Sequence, residues 1–584
     1  MELDLRLVTT LLLPAALSIG GAARAQLPST TRVSVASSGT EGNGNSSRGS
    51  ISADDRFVAY YSSATNLVTG DSNQATDVFV FDRVNSTTQR VSVATSGAQA
   101  AFGCPSFDPS ISADGRYVAF HSYAPNFVAG DSNGTYDVFV RDRQNNTTEC
   151  ISVARSGAIG NHGGTSPSIS ADGRYVAFES GSTDLVQNDT NGATDVFVRD
   201  RQTGTTVRVS VDSAGAQSNA GGTSPAISAD GRFIAFESLS NNLVAGDTNG
   251  VTDIFVRDRV LGITECVSVG PGGVQSNGVS DVASISADGL CVSFESAASN
   301  LAARATNGLQ HVFVYDRASG ATECVSLNTI GAQENGASLA PFHALSTNGR
   351  YVAFWSSSTD LVAGDNNGFT DIFVRDRATG ETKLISVDTA GTQGNANSQS
   401  GSISDDGRYI AFESNATNLV AGDQNGLRDI FLRDRGSLGP TVYCTSGTST
   451  HGCNAIIQAS AYASLSFANP CNITVTHVEG HKSGILFYGL SRTAQTWCAP
   501  GAGSSYLCVK APTKRTGAQS SGGSVGLCDG VLQLDWNAYR IANPNALGAP
   551  WNAGSITDFQ AWYRDPGSCK TTSLSNALEL TYVP

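Results

Sequence analysis

The chain has 584 residues, 63 of them Gly, with only 15% charged and a net charge of −15. That length exceeds one core and predicts two or more domains. Low charge with much Gly, Ser, Thr, Asn and Val fits an all-β protein with many turns, and the acidic balance argues against nucleic acid or an anionic membrane surface as a partner, because both need a basic face.

Residues 7–19 (LVTTLLLPAALSI) form an apolar run, and Ala23-Arg24-Ala25 then gives a small-x-small cleavage site before Gln26. Residues 1–25 read as a secretory signal peptide, too short for a spanning helix. The n-region departs from the usual pattern, with Glu2 and Asp4 beside a single Arg6. No later apolar stretch reaches ~18 residues, so no transmembrane segment is expected in the mature chain. The expected location is secreted, periplasmic or at the cell surface.

From Thr31 onward three blocks recur in fixed order. The first is I-S-x-D-G-R-Y-V-A-F, starting at Ile111, Ile169, Ile227 and Ile403, with looser copies at Ile51, Ile285 and Leu345. The second is D-V/I-F-V-R-D-R, starting at Asp77, Asp137, Asp195, Asp253, Asp371 and Asp429, with His311 opening the odd copy. The third is V/I-S-V or V-S-L, ending at Val35, Val93, Val153, Val211, Val269, Leu327 and Val387. The period, 58 or 60 residues between successive second blocks, means a solenoid, an array or a propeller.

Strand content decides between them. Each unit supplies four short β segments, such as Ser166–Ser170, Arg174–Glu179, Asp195–Asp200 and Thr206–Val211. Segments such as Val196-Phe197-Val198 are apolar on both faces and need cover on both, as a blade has between two neighbours. A seven-bladed β-propeller over residues 26–439 is therefore expected. Its phase is informative: the chain opens on a lone fourth strand, Thr31–Val35, and the last repeat, ending near Arg435, lacks one. Pairing the two completes the seventh blade and hides two open edges.

The first block resembles the TolB-like propeller repeat, S-P-D-G-K-x-I-A-F, with Ala171 or Asp405 in place of the Pro. The resemblance covers Thr31 to Arg435. It implies a WD-like propeller fold, an extracytoplasmic setting and mainly protein binding. It transfers no catalytic residue.

The loops between the second and third strands are long, as in Gly181–Thr194, and so are those between repeats, as in Asp212–Thr223. Both kinds fall on one face of a propeller, where long polar loops on a rigid scaffold carry binding. The second-to-third loop repeats N/D-L-V-x-G-D-x-N-G-x-x-D, placing Asp131, Asn133 and Asp137; Asp189, Asn191 and Asp195; Asp247, Asn249 and Asp253; Asp365, Asn367 and Asp371; and Asp423, Asn425 and Asp429. Two carboxylates, an amide oxygen and exposed carbonyls around a tight turn suit Ca²⁺. An EF-hand-like loop would carry another oxygen ligand two residues earlier, where Ala129, Gln187, Ala245, Ala363 and Ala421 stand. The other reading is that Asn-Gly makes the turn and the Asp side chains bond loop amides. One copy has Ala305 and His311 in place of both acids. Arg199, Asp200 and Arg201, which end the third strand, read as an inter-blade ion-pair ladder.

After Gly439-Pro440 the repeat stops. Five of the 12 cysteines precede this point (Cys104, Cys150, Cys266, Cys291, Cys324). Seven follow it: Cys444, Cys453, Cys471, Cys498, Cys508, Cys528 and Cys569. Ala463–Phe467, Ile473–Val478, Gly484–Tyr488, Val531–Trp536 and Leu578–Val583 read as strands, so residues 440–584 are expected to form a cysteine-rich, sandwich-like β domain. Lys482–Gly489, Leu507–Lys510 and Trp562–Pro566 resemble a C-terminal module of secreted bacterial proteins with no assigned activity. Disulfide candidates are Cys444 with Cys453, Cys498 with Cys508, and Cys528 with Cys569. The cluster His477-Val478-Glu479-Gly480-His481 lacks a third strong ligand and reads as an exposed loop rather than zinc. Trp536, Tyr539, Trp551, Trp562 and Tyr563 serve either core packing or sugar stacking.

No G-x-S-x-G, H-E-x-x-H or P-loop occurs, and no catalytic residue is identified. The leading reading is a monomeric secreted or cell-surface binding protein with a protein or glycan ligand. The alternatives are an extracellular hydrolase or lyase acting on polysaccharide or peptide, and a calcium-stabilised structural surface protein. No other cofactor is implied.

Overall fold

The structure, a computed structural model, describes residues 27–304 and 307–436, and strands and one helix within 441–583. Two compact units result, Pro28–Gly436 and the part from Ser437 onward.

The first unit is a seven-bladed β-propeller of four-stranded antiparallel sheets. Numbered by their innermost strands, blade 1 starts at Ser46–Ile51, blade 2 at Ser106–Ile111, blade 3 at Thr165–Ile169 and blade 4 at Thr223–Ile227. Blade 5 starts at Ser280–Ile285, blade 6 at Ser338–Leu339 and blade 7 at Ser398–Ile403. Blade 3 shows the plan, with Thr165–Ile169, Tyr175–Ser180, Asp195–Asp200 and Thr205–Arg208 paired in sequence order.

Both faces of a blade are core. Val196 and Val198 pack into a cluster with Ile227, Ile234 and Phe236 of blade 4, while Phe197 points the other way, toward Val138 and Val140 of blade 2. Alternation along the strand makes one segment serve two interfaces. Each such side chain contributes roughly 1.5–3 kcal/mol by burial. Within a blade, the Phe of the first block stacks on the Phe of the second, as in Phe236 and Phe255 at 5.8 Å.

The ring closes as its phase requires. Ser29–Arg32 pairs antiparallel with Asp429–Asp434 as the fourth strand of blade 7, with Thr31 opposite Leu432. The closing strand lies two to three residues earlier than the expected Thr31–Val35. The same offset recurs in the other blades, where the V-S-V block lies just beyond the fourth strand. Its Ser bonds inward to the second loop Asp, so the chain leaves the ladder there: Val196 N–H donates to Ser210 Oγ at 3.2 Å, and Ser210 Oγ–H donates to Asp195 Oδ1.

The D-G turn of the first block sits against the preceding blade. Gly173 has φ +71, and a Cβ there would lie 2.1 Å from the Tyr117 ring, so only Gly fits. The Arg-Asp-Arg ending divides its labour differently from a ladder of ion pairs. Asp200 is gripped within its own blade by Arg174 at 3.0 and 2.7 Å. Arg199 Nη1 donates to Thr206 Oγ1, again within the blade. Arg201 crosses the boundary, pairing with Glu149 at 2.6 Å and covering the Tyr117 ring at 4.3 Å, and in other blades the first arginine also reaches a carbonyl before the boundary, as Arg257 does at Asp212.

The second unit is a β-sandwich. One sheet runs Thr441–Tyr443, Thr572–Val583, Ile556–Arg564, Ser483–Gly489, Thr513–Arg515, and a three-stranded sheet joins Ile456–Ala459, Asn472–Val478 and Gly530–Asp535. Ile457, Ile473, Val475 and Leu532 of the smaller sheet share one core with Leu486, Tyr488, Phe559 and Ala561 of the larger. Trp536 is wholly buried in it and opens the helix Trp536–Ala542, where a strand end was expected. Tyr539 stacks on Trp536 at 5.2 Å, so both aromatics serve packing. His477 is exposed but lies within the strand Asn472–Val478, at its bulge, rather than in the expected loop, and contacts Thr476 Oγ1, while Glu479 to His481, and the side chains of Trp551, Trp562 and Tyr563, lie outside the described residues. So do the side chains of Cys444, Cys453, Cys498, Cys508, Cys528 and Cys569, and the expected leader. The five propeller cysteines are free thiols. Among the described residues no helix is long and apolar enough to cross a membrane.

Candidate functional site

Two features of the long-loop face gather chemistry: the loop acids and the mouth of the central channel. The loop acids are seated by blocks two and three together. In blade 2, Asn133 Nδ2–H donates to Asp137 Oδ2 at 2.8 Å and to the Gly160 carbonyl, while Asn133 Oδ1 accepts the Thr135 amide. Asn191, Asn249 and Asn367 bind Asp195, Asp253 and Asp371 in the same way, at 2.7–2.9 Å. Asn425 holds the Gly42 carbonyl and the Leu427 amide. The amide of each Asn is thus spent on the turn. Asp137, Asp195, Asp253, Asp371 and Asp429 are fully buried, each beside a V-S-V serine.

What neutralises these acids differs from blade to blade. In blade 3, Arg208 Nη1 lies 3.0 Å from Asp189 and 3.3 Å from Asp195. In blade 7, Arg32 from the closing strand lies 3.3 Å from both Asp423 and Asp429. Blade 1 holds a sixth set that the N-G pattern concealed, because Gln74 replaces the Gly: Arg90 bridges Asp71 at 2.9 Å and Asp77 at 3.3 Å. The residue at the arginine's place is Cys150 in blade 2, Cys266 in blade 4 and Leu384 in blade 6, each ending the fourth strand. Burial pushes both thiols up to about 12, helped by the facing carboxylates. They are neutral and poor nucleophiles.

Blade 5 replaces the acid pair with a different one. His311 Nδ1 lies 2.9 Å from Glu334, which comes from the loop between blades, and Nε2 lies 2.7 Å from Asn307 Oδ1. Loss of the acids is compensated locally. Among the described residues no three His, Cys, Asp or Glu side chains converge as a metal cage.

The residues that form the channel mouth were not singled out in the sequence. Six of the seven innermost strands carry a β-bulge whose first residue has positive φ: Arg48, Asp108, Ser166, Ser224, Val282 and Ser400. These residues ring the channel. Blade 6 has two extra residues here, which place Phe342 and His343 at the rim. The signal was present as a 60-residue rather than 58-residue spacing into that blade.

Arg48 organises the mouth. Its Nη1 pairs with Asp108 Oδ1 at 3.1 Å, and its guanidinium lies 4.8 Å from the centre of the Phe342 ring. Behind it, one register position on the second strands holds Glu179, Glu237, Glu295 and Glu413 in four blades and Tyr61, His121 and Trp355 in the other three. Glu179, Glu237 and Glu413 each accept a backbone amide from the next blade's bulge, and Glu295 accepts that of Ala340 just beyond the innermost strand of blade 6. Burial, with the nearby Asp281 and Glu237 charges, pushes Glu295 up to about 7. Tyr61, Phe107, His121 and Tyr136 form a continuous aromatic cluster with centroids 5.2–5.8 Å apart along the chain of contacts. Burial lowers the His121 pKa, so its ring is neutral. Its Nδ1 is 3.9 Å from Asp108, beyond hydrogen-bond range. Deeper in, the channel is walled by small and aliphatic residues such as Ser110, Ala113, Ser168 and Ala171.

No family model matches the chain, in the propeller or beyond it, and no curated protein matches either. Its structural neighbours include TolB proteins and other propellers. TolB from Acinetobacter baumannii is 14% identical with TM-score 0.32, covering 58% of this chain. This chain spans about 62% of the length of that protein. The β-propeller domain of the Trilobed protease from Pyrococcus furiosus is 10% identical with TM-score 0.40, covering 67% of this chain and 95% of that one. A prolyl endopeptidase structure is 12% identical with TM-score 0.42, covering 75% and 56%. The seven-bladed ring stands on its own strand pairing.

Proposed function

We propose that this protein is an extracytoplasmic binding protein. Its propeller presents a rigid disc, and its ligand is a polypeptide segment seated at the channel mouth of the long-loop face. One observation carries the reading. A ring of near-identical blades gives a near-symmetric rim, yet the cationic and aromatic departures at the mouth fall in blades 6, 1 and 2. There Arg48, Asp108, Phe342 and the Tyr61–Tyr136 aromatics sit together. A cation, a carboxylate and exposed ring edges in one sector are the groups that recognise peptide side chains and termini. The expected leader over residues 1–25 supports an extracytoplasmic setting.

The test is a display selection on the full chain with a random peptide library, run beside a glycan array. Retained peptides should bind the Arg48→Ala and Phe342→Ala variants at least ~10-fold more weakly, the loss of one well-placed contact, with unchanged Tm. Equal binding by wild type and variants would remove the mouth as the site. Glycans retained in place of peptides would reassign the ligand class. The hydrolase reading rests on Asp108, His121 and Glu295 near the rim; turnover of a bound peptide that His121→Ala abolishes would replace the binding role with it.

A further inference from the structure

The loop acids allow a comparison inside one molecule. The same carboxylate pair occurs in six blades. In three of them a guanidinium sits between the two acids, at 2.9–3.3 Å from each. That geometry marks the point between the acids as a cation position. The arginine always comes from the last residue of the fourth strand, two residues before the serine that binds the second acid.

Blade 6 keeps the acids and changes the cation. Leu384 stands where Arg208 stands in blade 3; the two are in the same register, opposite Phe373 and Phe197. Asp371 is fully buried and Asp365 is 7% exposed. Asp371 is satisfied by Ser386 and Asn367. Asp365 is held less fully: its carboxylate has the Asn367 backbone amide and a long 3.5 Å contact from Gln393 Nε2 to Oδ1, and the buried Oδ2 has no hydrogen-bond partner among the described residues. Two facing carboxylates, one with an orphaned oxygen in a dry site, cost several kcal/mol unless neutralised. Blades 2 and 4 are less demanding: Asp131 is only half-buried, and Asp247 Oδ1 accepts Gln275 Nε2 at 3.2 Å.

We infer that blade 6 binds a divalent cation of the calcium class between Asp365 and Asp371, where sister blades carry a built-in guanidinium. The donors are hard carboxylate oxygens, and the remaining positions fall to loop carbonyls and solvent. With only two protein carboxylates, affinity belongs to the weak range of extracellular modules, about 0.1–1 mM. This narrows the ion from five loops to one, and makes blade 6 the blade whose integrity depends on external calcium.

The experiment uses the full chain stripped with EDTA and titrated with CaCl2, reading bound calcium by equilibrium dialysis and Tm by calorimetry. Wild type should gain about 1–2 °C at calcium ~10-fold above Kd. Leu384→Arg should raise Tm in EDTA and bind one calcium fewer per chain. The near-isosteric Asp365→Asn should also bind one fewer. The inference is overturned if all three proteins bind the same amount of calcium. It is equally overturned if calcium leaves wild-type Tm unchanged while acidification from pH 7 to 5 raises it, because a proton would then be doing the neutralising.

Discussion

The carboxylate of Glu179 accepts the backbone amide of Ser224 at 2.8 Å, across the boundary between blades 3 and 4. The amide is exposed for capture because Ser224 sits in the left-handed region at the head of its bulge, φ 51. A side chain of one blade therefore holds the strain-bearing backbone of the next. The same staple joins Glu237 to Val282, Glu295 to Ala340 and Glu413 to Arg48.

Removing the staple that closes the ring should be the costliest test of this arrangement. Glu413 is buried and also holds Arg428 at 3.2 Å and Gln399 at 3.0 Å. Glu413→Ala should lower unfolding free energy by about 2 kcal/mol, the usual worth of a buried hydrogen bond to a charged group. Glu413→Gln should recover part of it. Denaturant midpoints at unchanged m-value would measure both.

Arg208 neutralises two buried acids, so Arg208→Leu should cost about 3 kcal/mol, as expected when one partner of a buried ion pair is deleted. Burial already raises the Asp189 pKa, with Asp195 adding to it. Without the arginine the Asp189 carboxyl holds its proton still more tightly in the folded state than in the unfolded chain. The folded state is then favoured at low pH and penalised as pH rises. The deficit should be larger at pH 8 than at pH 5; a deficit independent of pH would point to lost packing instead.

Asp55 occupies the place that Gly fills in the other six turns, with φ 60. Burial and the neighbouring Asp406 push its pKa from 3.8 to about 7. Unfolded chains lose this proton near pH 4, whereas the folded state keeps it to about pH 7, so its stabilising contribution is present below pH 4 and lost on going to neutrality. Asp55→Gly should stabilise the protein by about 1 kcal/mol at pH 7, from relief of the left-handed backbone and of the buried charge. It should also flatten the decline in Tm between pH 4 and 7.

Deleting residues 27–35 removes the fourth strand of blade 7, Arg32 between its two acids and the Ser34 hydrogen bond to Asp429. The truncated chain should melt well below the Ser34→Ala variant, which loses about 1 kcal/mol. A synthetic peptide of residues 27–36 added in excess should restore part of the Tm. No recovery, with a Tm equal to wild type, would show that the ring does not depend on this strand.

The blade count and the closure were legible in the chain, because both depend on local pattern. Alternation across Val196-Phe197-Val198 states that a strand is covered twice, and the phase of the blocks states which edge strand is missing. The paired Asp and Asn residues were equally visible, since a loop of seven residues keeps them near each other. Their roles were not. Asn133 and Asp137 are four residues apart, but what sits between Asp423 and Asp429 is Arg32, nearly four hundred residues away and brought there by ring closure. The same holds for the mouth, where Arg48 meets Asp108 and Phe342 only because three blades converge on one axis. Sequence alone therefore determined the repeat, the strand order and the closing strand, all properties of segments a few residues long. The tertiary structure decided which charges are neutralised, which carboxylate oxygen is left over and which rim residues meet, because each of those depends on distances between different blades.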